Sequence, residues 1–459
     1  MAKPKKTYAC SECSTISSKW QGQCDGCGAW NTLVEADNGP ALSSVSDSQM
    51  SGGRQIEMLK LSGEISNPDR RSTGIGELDR VLGGGLVAGS TILMSGPPGI
   101  GKSTLLMQAA SSCAAGGLNV AYISGEEAVD QIRLRAKRMG CADSNVQLAH
   151  ENSLKDILTT MRSVRPDILI VDSIQTMRCE GIDGNPGGVA QVKASGQALI
   201  QYAKATNCAI IIVGHVNKSD SVAGPRHLEH MVDAYIQFEG DRSQQFRLLR
   251  GIKNRFGATD EIGVFQMAER GLEEVPDPSS LFLVDREGNP SGTCIFPTIE
   301  GGRPILVEVQ ALVVRRESEG GSPKRAAVGW DRNRLDVILA LLEARYGMPF
   351  SNADVYLNVA GGYRMDDPGA DLAVACAAMS AYIDRPLPKG MIAFGELSLT
   401  GDIRPVPAME SRLKEAARHG LMRSWNPRFP SGANPPKDFQ SKVMSDFGQI
   451  SSNFISSGK

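Results

Sequence analysis

The stretch Gly96-Pro97-Pro98-Gly99-Ile100-Gly101-Lys102-Ser103 constrains this chain more than any other feature of it. It spells G-x-x-x-x-G-K-S and stands between an apolar strand, Ile92 to Ser95, and a helical pattern from Thr104 to Ala114. In that setting the loop's backbone N–H groups and the helix N-terminus face a polyphosphate. Lys102 offsets charge on the β and γ phosphates, and the Ser103 hydroxyl offers a ligand to Mg²⁺. Gly96 to Thr104 are therefore the expected ATP-binding segment.

Around it, short apolar runs ending in Gly or Ser alternate with helical patterns from Ser72 to about Glu274: Thr91–Ser95, Val120–Ser124, Ile168–Asp172 and Ala209–Gly214. Such alternation predicts a parallel α/β sheet. The run Asp167 to Asp172 ends in a carboxylate, where an acid that organises Mg²⁺ beside the loop must sit, so Asp172 is the expected metal-side group. The run Val120–Ser124 leads into Gly125-Glu126-Glu127 at the same edge. Carboxylates there can act on an attacking water, and Glu126 is the first choice.

At 459 residues the chain predicts two or three domains, at roughly 150 residues each. The net charge of −2 excludes a globally basic nucleic-acid coat and leaves only local patches. The basic start, Met1 to Lys6, leads into no apolar signal core, and the longest apolar runs are short of the ~20 residues that cross a bilayer, so cytosolic residence without membrane contact is expected. Four of the 10 cysteines fall in two pairs, Cys10-x-x-Cys13 and Cys24-x-x-Cys27. Two thiolate pairs predict a closed tetrahedral zinc site, structural in kind because no position is open to water. The expected layout is a C4 zinc finger at 1–33, a polar linker at 34–69, an ATPase domain at 70–275 and a further domain at 281–459.

Ser72-Thr-Gly-Ile-Gly-Glu-Leu-Asp79, Leu82-Gly-Gly-Gly85, the phosphate loop and Ile123-Ser-Gly-Glu-Glu127 together resemble the RecA superfamily. With the cysteine pairs, Lys253-Asn-Arg-Phe-Gly257 and Gly224-Pro-Arg-His-Leu-Glu-His-Met-Val-Asp233, nearly the whole chain resembles the bacterial RadA (Sms) family. The resemblance implies a RecA-like α/β ATPase core in which Glu126 activates water and His215 senses the γ-phosphate. It implies that Lys253 and Arg255 reach a neighbouring subunit's nucleotide as trans cations, hence an oligomeric ring, a hexamer by likeness to ring helicases. The loops Arg178–Gln191 and Asn217–Met231 correspond to the DNA-binding loops, with Lys193, Lys218 and Arg226 placed for phosphate contact. The first loop is Gly-rich, and the second carries the single glycine Gly224.

From Ala326 onward the chain resembles the proteolytic domain of Lon, an α+β fold. The serine position holds Ala370 and Lys414 fits the lysine, so no acyl-enzyme can form and protease activity is not expected. The region carries Arg315, Arg316, Lys324, Arg325, Arg332 and Arg334, a local positive excess that suggests added DNA affinity. The stretch beyond Asn426 is rich in Pro, Ser and Asn, and a frayed end is expected. The family implies a bacterial, nucleoid-associated ATPase acting on single-stranded and branched DNA with the RecA recombinase. The competing reading is a non-motor scaffold whose DNA binding is switched by ATP.

Overall fold

The computed structural model describes residues 8–10, 16–17, 19–35, 69–215, 226–240, 246–259, 261–283, 288–316, 322–430 and 434–456. The chain forms two compact units, Met1–Asn67 and Pro68–Lys459. In the first, Tyr8–Cys10 is flanked antiparallel by Ile16–Ser17 and Leu33–Glu35. The expected linker at 34–69 lies almost wholly outside the described residues.

The first helix of the second unit is short, α1 (Gly76–Val81), and is preceded by the strand Arg70–Arg71, which pairs antiparallel with Leu86–Val87. A nine-stranded sheet follows, built from β1 (Thr91–Gly96), β2 (Val120–Ser124), β3 (Gln147–His150), β4 (Ile168–Asp172), β5 (Ala209–His215), β6 (Ala234–Glu239), β7 (Phe246–Asn254), β8 (Ile262–Ala268) and β9 (Gly271–Glu274). Their order is β9-β8-β7-β6-β1-β5-β4-β2-β3. Pairing is parallel from β6 to β3 and antiparallel from β6 to β9. The central strands are apolar on both faces because helices cover both: β1, β2 and β4 are buried throughout. The covering helices are α2 (Lys102–Ala115), α3 (Val129–Arg138), α4 (Leu154–Val164) and α5 (Val189–Thr206). Ser153 caps α4 by accepting the Asp156 N–H at 3.3 Å.

A seven-stranded mixed sheet comes next, of β10 (Thr293–Glu300), β11 (Arg303–Arg315), β12 (Arg325–Val328), β13 (Ala353–Val359), β14 (Met391–Ala393), β15 (Arg423–Asn426) and β16 (Gln440–Val443). Its order is β12-β13-β11-β10-β14-β15-β16, with helices α6 (Arg332–Tyr346), α7 (Asp371–Tyr382), α8 (Met409–Arg418) and α9 (Phe447–Ser456). Helix α7 is buried from Asp371 to Ser380, as its unbroken apolar run requires. One core joins the two sheets: Ile262 and Val264 of β8 pack with Phe296, Val307 and Leu339, while Phe265, on the other face of β8, packs into the first sheet's core. Arg303 bridges the two to Glu77 of α1 at 2.6 Å.

Up to Ser456 the C-terminal stretch is more regular than its Pro-, Ser- and Asn-rich composition suggests, while the expected frayed end itself lies outside the described residues. Phe447, Ile450 and Phe454 recur on one face of α9 and are buried in the second sheet's core. Composition hid that periodicity.

Candidate nucleotide and nucleic-acid site

The phosphate loop leaves β1 at Gly96 and enters α2 after Gly101. Gly96 has φ +153°, and a Cβ there would stand 2.8 Å from the Phe238 carbonyl oxygen, so only glycine lets β6 lie this close to the loop. Gly101 has φ +119° at the turn into α2. Pro97, Pro98 and Gly99 are exposed, Ile100 is buried beneath them, and Ser103 and Thr104 are partly exposed. Lys102 is buried, and its Nζ donates to the carbonyls of Gly96 at 2.7 Å and Pro97 at 3.0 Å. Burial pulls its pKa down to about 8, against the opposing pull of Asp172 and Glu126.

The sheet order sets β5, β4 and β2 beside β1, so their ends converge next to the loop. Asp172 is buried at the end of β4 and accepts the Tyr122 hydroxyl at 2.5 Å. Glu126, just past β2, accepts the Ser173 hydroxyl at 2.5 Å and the His215 Nε2–H at 3.1 Å. Its pKa falls to about 2, first through the His215 hydrogen bond, with burial opposing and Ser173 adding to the fall. The side chain is still 42% exposed, so a carboxylate oxygen faces outward. Glu127 turns away and pairs with Arg135 at 2.7 Å. Lys102, Asp172, Glu126 and His215 thus meet at one sheet edge.

Sequence reasoning missed Tyr122, Ser173, Gln175 and Arg135. Ser173 follows the strand-ending aspartate and Tyr122 is the one hydroxyl inside an apolar run, which are usable signals. Gln175, whose Nε2 donates to the His215 carbonyl at 3.3 Å, and Arg135 gave none.

Lys253 and Arg255 sit elsewhere. Register sets Lys253 opposite Tyr235, which is level with Leu93, while the phosphate loop begins at Gly96. At roughly 3.3 Å per residue and 4.8 Å per strand, Lys253 lies about 14 Å from its own Gly96. Its Nζ donates to the carbonyls of Glu229 at 2.8 Å and His230 at 3.2 Å. Arg255 pairs with Asp233 at 3.1 Å and is half exposed. Asp233 also accepts the N–H and hydroxyl of Thr91, at the far end of β1 from the loop.

Of the expected DNA contacts, Lys193 is exposed on α5. Lys218 and the Arg226 side chain lie outside the described residues. The loop Arg178–Gln191 is closed on itself by Gln191, which accepts the Cys179 N–H at 2.7 Å and donates to the Ile182 carbonyl at 2.6 Å. Lys324 is exposed. Arg315 is exposed, stacks on Tyr382 at 4.5 Å and donates to its carbonyl. Arg316 lies 3.9 Å from Asp354. The expectation needs correction at Arg325, whose guanidinium donates to the carbonyls of Lys324, Phe350 and Ala353 and so has turned inward. Arg334 is likewise committed, with two bonds of 2.6 Å to the buried Asp371. The positive patch is smaller than its composition suggested.

In the first unit, the Cys10 and Cys27 sulfurs stand 3.6 Å apart, and Cys10, Cys24 and Cys27 lie within 4.8 Å of one another. Zn–S bonds of about 2.3 Å give a tetrahedral edge of about 3.8 Å, so the three thiols fit a zinc ion. The Gly26 N–H also donates to the Cys24 sulfur at 3.3 Å. Cys13, the fourth expected ligand, lies outside the described residues.

The Lon-like region corrects a second reading. Ala370 is fully buried at the start of α7. Lys414 points outward, 64% exposed and paired with Glu410 at 2.7 Å. Met409, Leu413 and Ala416 turn one face of α8 inward, and the cation on that face is Arg412, 1% exposed and 2.7 Å from Asp367. The phase of the helix, not residue type, decides which cation is inside.

Strand order, phosphate loop and converging edge define a RecA-like α/β core, carried with an N-terminal metal-binding ribbon and a C-terminal Lon-like domain. Residues 65–221 match the family model of an AAA domain, residues 8–35 that of a rubredoxin metal binding domain, and residues 324–427 that of subunit ChlI of Mg-chelatase. The DNA repair protein RadA of Brucella abortus is 49% identical over 431 residues, 92% of this chain and 92% of that protein. That of Pseudomonas aeruginosa is 45% identical over 440 residues, 95% of each. A crystal structure of the RadB recombinase, 22% identical, matches 44% of this chain and 99% of its own at a TM-score of 0.35, a likeness too slight to argue from. The chain belongs to the RadA family of DNA repair proteins. No helix of the described residues is long and apolar enough to cross a membrane.

Proposed function

We propose that the chain hydrolyses ATP to drive movement on DNA, processing recombination intermediates by branch migration and heteroduplex extension. The observation that carries this is Glu126: a half-exposed carboxylate held by His215 and Ser173 beside Lys102 and Asp172. A carboxylate with a pKa near 2 is too weak a base to take the water's proton outright, but it stays ionised and can accept a hydrogen bond from that water. It aligns the water that attacks the γ-phosphorus, and as the bond to ADP breaks the water's proton passes to an oxygen of the transferred phosphate, giving ADP and inorganic phosphate. Loose phosphoryl transfer needs such positioning more than proton abstraction. Ser103 and Asp172 would hold Mg²⁺, which offsets phosphate charge, and the four cysteines would hold structural Zn²⁺.

Lys253 and Arg255, too far from their own loop, serve a neighbour's nucleotide. This supports a closed ring, a hexamer, around single-stranded DNA, with Lys193, Lys218, Arg226, Arg315, Arg316 and Lys324 as phosphate contacts. The domains run 70–275 and 281–459, the place of action is the bacterial cytoplasm at the nucleoid, and the RecA recombinase is the partner. These finer statements rest on the family and on the register argument.

The test is ATP hydrolysis with and without single-stranded DNA for the parent, Lys102→Ala and Lys253→Ala. DNA should stimulate the parent, and both variants should lose turnover. Hydrolysis that ignores DNA would sink the motor. Branch migration that survives Glu126→Gln would favour the ATP-switched scaffold.

A further inference from the structure

Away from the nucleotide edge, Asp277, Glu415 and His419 bring one ligand atom each within 4.8 Å of one another. Asp277 lies between β9 and the second sheet. Glu415 stands one turn before His419, the residue that caps the C-terminus of α8, so both side chains share a face. His419 Nε2 is 3.2 Å from Asp277 Oδ1 and 3.3 Å from Glu415 Oε1. Nε2 and Oδ1 are nevertheless buried without a hydrogen bond among the described residues. The ring nitrogen faces two oxygens and is aligned on neither.

We propose that these three side chains form a second metal site, for a divalent ion of the zinc class. Bonds of about 2.0–2.1 Å place tetrahedral ligands about 3.3 Å apart, the spacing seen on both sides of Nε2. An imidazole with two carboxylates suits zinc, whereas magnesium prefers oxygen and water alone. A supporting shell is present. The Ser279 hydroxyl donates to Glu415 Oε1 at 2.6 Å and accepts the Leu306 N–H at 3.0 Å, which fixes the carboxylate. Arg418, 3.8 Å from Glu415 and largely exposed, offsets little of the two negative charges. Asp277, 37% exposed, gives an ion its way in. Bound there, the ion ties the connection between the sheets to α8 and holds the second domain against the nucleotide-binding core.

The site is separable from the ribbon. Full-length chain carrying Cys24→Ser and Cys27→Ser loses two ribbon thiolates, and its zinc content after equilibrium dialysis is read by mass spectrometry. About one zinc per chain should remain, and it should vanish on adding His419→Gln or Glu415→Gln. Zinc should also raise the melting temperature of the ribbon variant but not of the same chain with Asp277→Asn, which keeps the buried pair of α8 intact and guards against a folding artefact. A ribbon variant that holds no zinc, or zinc that survives His419→Gln, overturns the proposal and leaves the three side chains as a purely structural contact between α8 and the connection.

Discussion

The two large sheets both place charged side chains where a helix begins, to opposite ends. At the edge of the first, Lys102, Asp172, Glu126 and His215 converge, and Glu126 is held by hydroxyl and imidazole donors that leave one side open. At the start of α7 in the second, Asp371 is gripped by Arg334 and Asp367 by Arg412, with the aspartates and Arg412 withdrawn from solvent. A carboxylate matched to a guanidinium has its lone pairs taken up. One tethered by weaker donors can still engage water or a cation. Chemical capacity therefore follows from what packing leaves uncommitted.

The largest effect should come from breaking a pair in the second sheet. Arg412→Ala strands Asp367 beside a cavity and should cost about 3–5 kcal/mol in denaturant unfolding. ATP turnover per folded molecule should change less than about twofold. A large loss of turnover would mean that the second sheet contributes to the chemistry, and the contrast would fail.

Next comes Glu126→Gln, which keeps size and removes charge. Turnover should fall about 10²- to 10³-fold, or about 3–4 kcal/mol of barrier, with nucleotide affinity and melting temperature nearly unchanged. The expected pattern is the inverse of Arg412→Ala. A stability loss in place of a rate loss would make Glu126 a structural residue.

Much of this contrast was legible in the sequence. The phosphate loop, the apolar strands and Asp172 follow from local pattern, because a buried parallel strand needs a continuous apolar run and a phosphate loop needs glycine at fixed steps. Which of two adjacent glutamates faces the site was not fixed locally, since Arg135 claims Glu127 from one helix and His215 claims Glu126 from a distant strand. The choice between Arg412 and Lys414 was available in the phase of Met409, Leu413 and Ala416, but residue type drew the eye to the lysine. Arg325 misled because its inward course depends on the carbonyls of Phe350 and Ala353, contributed by a later segment.

A smaller effect sharpens the electrostatics of the first sheet. The His215 hydrogen bond is the leading cause of the depressed Glu126 pKa. His215→Asn should cut turnover about tenfold. A carboxylate held near pKa 2 stays ionised throughout the neutral and mildly acid range, so it gives the parent no acid limb there. Losing the imidazole raises that pKa, and an acid limb should move up toward the ordinary glutamate range in the pH profile of kcat. On the alkaline side, Lys102 loses its proton near pH 8 in the free protein, so kcat/KM should fall above that value. An alkaline limb unchanged in Lys102→Arg would place its origin elsewhere.

The smallest expected effect tests whether the second sheet could be restored to chemistry. Ala370→Ser supplies the hydroxyl that a serine nucleophile needs, at a position that is fully buried. A serine must also lose its proton to a base. The inward cation on α8 is an arginine, charged at every accessible pH and unable to accept a proton, while Lys414 is turned to solvent and paired with Glu410. Casein cleavage by the variant should therefore equal the parent's background, with a stability change of about 1 kcal/mol. Cleavage that appears and then disappears with Lys414→Met would show that α8 rotates enough to bring the lysine inward, and that the pairing around Arg412 is one of two arrangements.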